Sequence, residues 1–102
     1  MKVAAYVPNL MDRSRVTAVA GALGTTVVFA AAVDDLDPAA ELTIVDLGRP
    51  GVLAALAGRS GRSVGFASHV DRDLMRDARA AGCDQVLARS AFFQRLPALL
   101  GP

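Results

Sequence analysis

Glu41-Leu42-Thr43-Ile44-Val45-Asp46-Leu47, halted by Gly48-Arg49-Pro50-Gly51, is the stretch on which the fold turns. Leu42, Ile44 and Val45 place apolar side chains on both sides of an extended chain, as a central strand of a parallel sheet requires. The Gly-Arg-Pro-Gly run that follows reads as a loop. Such a strand needs parallel neighbours, and comparable short runs lie on either side of it. Lys2 to Val7 is β-branched and aromatic and stops at Pro8; Thr25 to Ala30, Ser63 to Ser68 and Asp84 to Ala88 complete a set of five. Between the first two, Val16, Val19, Ala20 and Leu23 fall at helical spacing, with Asn9 or Asp12 as N-cap and Gly24 as the stop. Residues 31–40, with Asp34-Asp35-Leu36-Asp37-Pro38, hold too many capping residues for a full helix, so the second crossover is expected to be short or irregular. Val52, Leu53 and Leu56 predict a brief helix closed by Gly58. Asp71 is a good N-cap for a helix in which Leu74, Met75, Ala78 and Ala81 share a face and Gly82 supplies the stop. Its other face carries Arg72, Arg76 and Arg79 and is read as solvated surface. Ser90 opens a last helical segment containing Phe92, Phe93, Leu96, Leu99 and Leu100, which Pro97 is expected to break or shorten.

Five alternating strand–helix units fit an α/β fold of flavodoxin-like type, a three-layer sandwich on a five-stranded parallel sheet of order 2-1-3-4-5. Residues 1–102 are read as a single domain. In this architecture chemistry belongs at the carboxyl ends of the strands, here Val7-Pro8-Asn9, Asp46-Leu47, Ser68-His69 and Ala88-Arg89.

Composition narrows the function classes. Hydrophobic residues form 53% of the chain, but the longest wholly apolar stretch, Val27 to Val33, is far below the roughly 20 residues of a membrane span. The apolar opening ends at Pro8-Asn9 before a secretory h-region is complete, so no export signal is expected. Cys83 is the only cysteine, which excludes an internal disulfide and makes the reducing cytoplasm the expected compartment. A lone thiol is more often a small buried hydrophobe than a nucleophile, and His69, the one histidine, has no partner carboxylates in sequence. Eleven basic residues against ten acidic ones argue against a broad nucleic-acid surface. Arg59 and Arg62 are read as a solvated basic turn. Phe92, Phe93, Leu96 and Leu100 are expected either to complete the core or, exposed, to form a homodimer or partner surface.

Three segments at the strand ends resemble the receiver domains of two-component response regulators. Leu42 to Gly51 is similar to the family's third strand and loop, where the last aspartate accepts a phosphoryl group and a proline follows four residues later; Asp46 and Pro50 match. Val64-Gly65-Phe66-Ala67-Ser68 resembles the fourth strand, whose terminal hydroxyl residue hydrogen-bonds that group; Ser68 matches. Ala80 to Arg89 resembles the approach to strand five and its terminal lysine, with Arg89 in the lysine's place and Ser90 in place of the usual proline. Each match taken singly is equally a turn cap, a small residue or a surface base; the weight lies in three together, in order.

The departure is at strand one. Receivers place an acidic pair there that holds Mg²⁺ with the phosphoacceptor, whereas Val7-Pro8-Asn9-Leu10 offers no carboxylate before Asp12. Mg²⁺ needs hard oxygen ligands in near-octahedral geometry, and phosphoryl transfer needs the cation. The resemblance therefore implies an atypical or pseudo-receiver: a stand-alone signalling and protein-interaction module, independent of phosphorylation, not an enzyme, with no cofactor and no metal. Arg89 is expected to pair directly with Asp46. One alternative is a binding domain for a small anion, nucleotide or flavin, with Arg49, Arg89 and Arg13 at the strand ends. Another is an authentic phosphoacceptor regulator at Asp46, with substitute metal ligands from Asp12 or the Asp34, Asp35 and Asp37 cluster.

Overall fold

Alternate residues of β1, β3, β4 and β5 enter two different cores, and this division builds the sandwich. In the computed structural model, which describes residues 1–101, five strands form one parallel sheet: β1 (Val3–Tyr6), β2 (Val27–Phe29), β3 (Leu42–Asp46), β4 (Arg62–Ala67) and β5 (Gln85–Ala88), in the order β2-β1-β3-β4-β5. Val3, Ala5, Leu42, Ile44, Val64 and Phe66 face one layer, where α1 (Leu10–Leu23) contributes Val16 and Ala20 and α4 (Arg89–Leu100) contributes Phe92, Leu96 and Leu100. Ala4, Val45 and Ala67 face the other, against Val52 and Leu56 of α2 (Val52–Leu56) and Ala78 of α3 (Arg72–Ala80). A parallel sheet covered on both faces is the expected outcome of strands with no polar side. The register pairs Ile44 with both Ala5 and Val64, which sets β3 in the middle of the sheet and Asp46 at its carboxyl end.

The second crossover is irregular, as expected, containing only a 3₁₀ turn at Val33–Asp35. Asn9 is the N-cap of α1: its Oδ1 accepts the Met11 and Asp12 N–H groups, both at 3.0 Å. Gly24 ends the helix in the left-handed region at φ 70°. Gly65 is required by packing, because a Cβ there would lie 2.5 Å from Leu47 Cδ2; bare backbone lets Leu47 close over the sheet. Among the described residues, no helix is long and apolar enough to cross a membrane.

Three expectations are corrected. Pro97 does not break α4, which runs unbroken to Leu100. The proline forfeits one hydrogen bond near the end of the helix, where burial of Leu96, Leu99 and Leu100 holds the turn in place. Of the two outcomes expected for the apolar residues of this helix, completion of the core is the one found: Phe92 and Leu96 are fully buried, and Phe92 stacks on Phe66 with ring centroids 4.6 Å apart. Asp71 occupies the N-cap position of α3, but its side chain accepts no cap hydrogen bond. Arg59 is not simply solvated; it donates to the Asp37 carbonyl at 2.6 Å and to Thr43 Oγ1 at 3.3 Å, bracing the amino end of the sheet.

Candidate functional site at the carboxyl ends of the strands

The ends of β3, β4 and β5 converge on a cavity of about 310 Å³ lined by Asp46, Phe66, Ala67, Ser68, His69, Ala88, Arg89 and Ser90. The topology brings the three receiver-like positions together, because β3, β4 and β5 are neighbours in the sheet and each contributes its last residue or the one beyond it. Phe66, buried against Phe92, forms an apolar wall. His69, exposed in the loop after β4, stands at the rim. Pro50 lies elsewhere, beside a shallow depression with Leu47, Arg49, Leu53 and Leu74.

Within the cavity the ion pairs differ from the expected ones. Arg89 does not reach Asp46. Its two terminal nitrogens grip the carboxylate of Asp12 in bidentate fashion, Nη1 to Oδ2 at 2.6 Å and Nη2 to Oδ1. Asp12 sits on the buried face of α1 in line with Val16 and Ala20, so its carboxylate is taken out of water and needs a cation. The side chain of Asp12 is 2% exposed, that of Arg89 47%. As the first residue of α4, Arg89 reaches across to the first turn of α1 and ties together the two helices that cover one face of the sheet. Planar guanidinium matches carboxylate in this fork-to-fork geometry, which an ammonium group does not.

Asp46 is satisfied by its own loop. Its Oδ1 accepts the Gly48 N–H at 3.1 Å, and its Oδ2 accepts Arg49 Nε at 3.3 Å. The expectation of Arg49 and Arg89 as a shared anion site therefore meets two arginines already placed on carboxylates. Arg13 is outside the cavity, its guanidinium 4.6 Å from the centroid of the Phe29 ring.

A resident Mg²⁺ does not fit these residues. Both oxygens of Asp12 are held by Arg89 and both of Asp46 are hydrogen-bonded, and among the described residues no group of three or more His, Cys, Asp or Glu side chains is placed to hold a metal ion. Asp37 is drawn elsewhere: the Lys2 ammonium and the Ala39 N–H hold its carboxyl below the usual carboxylate value. Cys83 is buried two residues before β5, donates to the Gln85 carbonyl, and its thiol is pushed up by burial.

The sequence reading missed Asp12 as the partner of Arg89. A signal for it existed: with Asn9 as the cap, Asp12 is four residues before Val16 and eight before Ala20, on the helix stripe that faces the core.

No protein-family model matches the chain, and no curated protein matches it. Solved structures do. The fold is similar to that of a response regulator from Hahella chejuensis, with a TM-score of 0.75 and 22% identity over 96% of this chain and 90% of that one. It is also similar to NtrX from Brucella abortus, with a TM-score of 0.75 and 18% identity, where the match covers 95% of this chain and 25% of the other. At these identities the likeness is one of fold: this is the architecture of response-regulator receiver domains.

Proposed function

We propose that this chain is a receiver-type signalling module that acts through contacts with a protein partner and does so without phosphorylation. The observation that carries the reading is the bidentate grip of Arg89 on Asp12. In the family the chain resembles, the corresponding basic residue turns to the phosphoryl group and the acids after strand one turn to Mg²⁺. Here the base and the carboxylate after strand one neutralise each other, and Asp46 is held by Gly48 and Arg49. An aspartate without a metal beside it is a weak phosphoryl acceptor, because charge on the transferred oxygens goes uncompensated. The cavity then has a fixed charge arrangement, and the output is the surface that this arrangement stabilises. The module is assigned to the reducing cytoplasm, consistent with a single buried thiol, and no reaction is assigned to it.

Incubation with acetyl phosphate or phosphoramidate and Mg²⁺, read by intact mass, tests the proposal. The expected result is an unchanged mass. An added phosphoryl group that disappears in Asp46→Asn refutes it and establishes the phosphoacceptor reading instead.

A further inference from the structure

The crossover from β2 to β3 leaves part of the sheet without a helix over it. Residues 31–40, rich in aspartate and interrupted by Pro38, fold only into the 3₁₀ turn Val33–Asp35. Leu36 and Ala40 of this segment pack in the same core as Ala4 of β1, which is 3% exposed, but the cover ends there. Val28 of β2 is paired in register with Ala4 and so shares its face, yet it is 60% exposed. Strands of a parallel sheet are ordinarily buried on both faces. Beside Val28, a hollow of about 160 Å³ is lined by Ala4, Ala30, Leu36 and Asp35.

The same strand is an outer edge of the sheet. The Ala30 N–H donates to the Ala5 carbonyl at 2.8 Å. Backbone groups alternate in direction along a strand, so Val28 turns its N–H and C=O toward β1, while Val27 and Phe29 turn theirs outward. Among the described residues nothing pairs with those outward groups. Proteins keep free edges from pairing with charge, proline, a bulge or shortness, and Val27-Val28-Phe29 has only its shortness. The other edge differs, since Gln85–Ala88 of β5 are all half-buried. Charge near the hollow is of one sign. Asp34 and Asp35 are exposed and in no ion pair among the described residues, and Lys2, the base on this side, is taken by Asp37.

We propose that the free edge of β2 takes up an extended segment of a partner protein as an added antiparallel strand, with a branched aliphatic residue at the hollow and lysine or arginine beside Asp34 and Asp35. An antiparallel strand at the edge of an otherwise parallel sheet is a common arrangement. In strand addition the main-chain bonds give affinity and alternate side chains give specificity. Opposite Val28 the incoming residue makes a pair without mutual hydrogen bonds, the closer of the two kinds, and its neighbours bond to Val27 and Phe29. Charge selects the occupant. A second copy paired edge to edge would bring its own Asp34 and Asp35 to the same face with no free cation between the two sets, whereas a basic segment neutralises them. The few backbone groups and one small hollow make a contact well below the roughly 800 Å² per partner of a standard stable interface, which suits a transient encounter. The proposal deepens the interaction-module reading and rests on it. The phosphodonor experiment reads only Asp46, so the two can fail separately.

The test is an amide-shift titration of the full chain with the peptide Thr-Lys-Thr-Val-Thr-Lys-Thr, beside a twin with glutamate for lysine and a third peptide N-methylated on the threonines that flank valine. Shifts confined to β2 and the segment 30–36 are expected, with the glutamate twin weaker by about tenfold or more, the effect of a pair of rim charges. The N-methylated peptide, which lacks the donors that face Val27 and Phe29, should not bind. Val28→Lys should abolish binding and leave the melting curve in place, since the position is exposed. Asp34→Asn with Asp35→Asn should remove the preference between the charged twins. No shift on β2, equal affinity of the native chain for the twins, or undiminished binding of the N-methylated peptide would each overturn the proposal. So would shifts on β2 produced without peptide by raising the chain's own concentration, which would assign the edge to a second copy.

Discussion

Replacing Arg89 by alanine should be one of the most damaging single changes at the carboxyl end of the sheet. The reason lies in the inequality between the partners: Asp12 keeps 2% of its side chain in solvent and Arg89 keeps 47%. Without the guanidinium, a buried carboxylate loses its cation and two charged hydrogen bonds, and water reaches it only through the space Arg89 vacates. Breaking a buried pair in this way costs roughly 3–5 kcal/mol, and the half-exposed partner argues for the lower end, about 3 kcal/mol. At about 4–8 °C per kcal/mol for a domain near 100 residues, the melting temperature should fall by about 12–24 °C. Asp12→Ala is expected to cost less, about 1–2 kcal/mol, because it removes the buried charge and frees Arg89 to turn toward water. The double variant should resemble Asp12→Ala alone, giving a coupling energy of about 3 kcal/mol, the whole of the Arg89→Ala loss. Asp46→Asn is the control. Its salt bridge to the partly exposed Arg49 spans 3.3 Å, a pair worth about 0–1 kcal/mol, and its loss should add to that of Arg89→Ala without coupling. Urea melts of these variants at pH 7 supply every number. A loss below about 1 kcal/mol in Arg89→Ala, or additivity between positions 12 and 89, would refute the reasoning.

Three further outcomes follow from other parts of the structure. Gly61→Ala should destabilise by about 1–3 kcal/mol, because a Cβ there runs into the Ala40 carbonyl oxygen and comes within 2.9 Å of the Glu41 carbonyl oxygen; chemical denaturation would detect it. Gly21→Ala, in helix α1 with nothing within 4 Å of the added atom, should instead stabilise by about 0.5–1 kcal/mol, shown by a higher denaturation midpoint. Burial raises the Cys83 thiol above its ordinary 9.0, so iodoacetamide at pH 8 should label it slowly in the native chain and rapidly in urea. The sign for stability is fixed by the same shift: the neutral thiol's contribution is complete below the unfolded value and is lost as pH rises through the higher folded value. The stability difference between wild type and Cys83→Ala should therefore move against wild type above pH 9, as measured by melts from pH 8 upward.

The fold was legible because each strand announces itself locally. Leu42, Ile44 and Val45 need burial on both sides, Pro8 and the Gly48–Gly51 run end strands cleanly, and Gly24 supplies the left-handed stop that a cap pattern anticipates. The misreadings of Pro97 and Arg59 share a cause: a long-range contact decided them. Pro97 reads as a breaker until the burial of Leu96 and Leu99 is known, and Arg59 reads as solvated until the Asp37 carbonyl is found beside it.

The same distinction explains the site. Strand order fixed where the backbone of residues 46, 68 and 89 would lie, and those three positions do line one cavity. It did not fix where a long arginine would send its charge, because backbone placement leaves several carboxylates within reach of a guanidinium. Desolvation decides between them. Asp46 sits at a strand end with Gly48 N–H and Arg49 available from its own loop, so it gains little from a second cation. Asp12 faces the core, where an uncompensated carboxylate is costly, and among the described residues Arg89 is the cation that meets it. A sequence reading that asked which acid falls on a buried helical stripe, before asking which acid falls in a motif, would have paired Arg89 with Asp12. Asp46, Ser68 and Arg89 thus line one cavity at the strand ends while Arg89 serves a contact that joins α1 to α4.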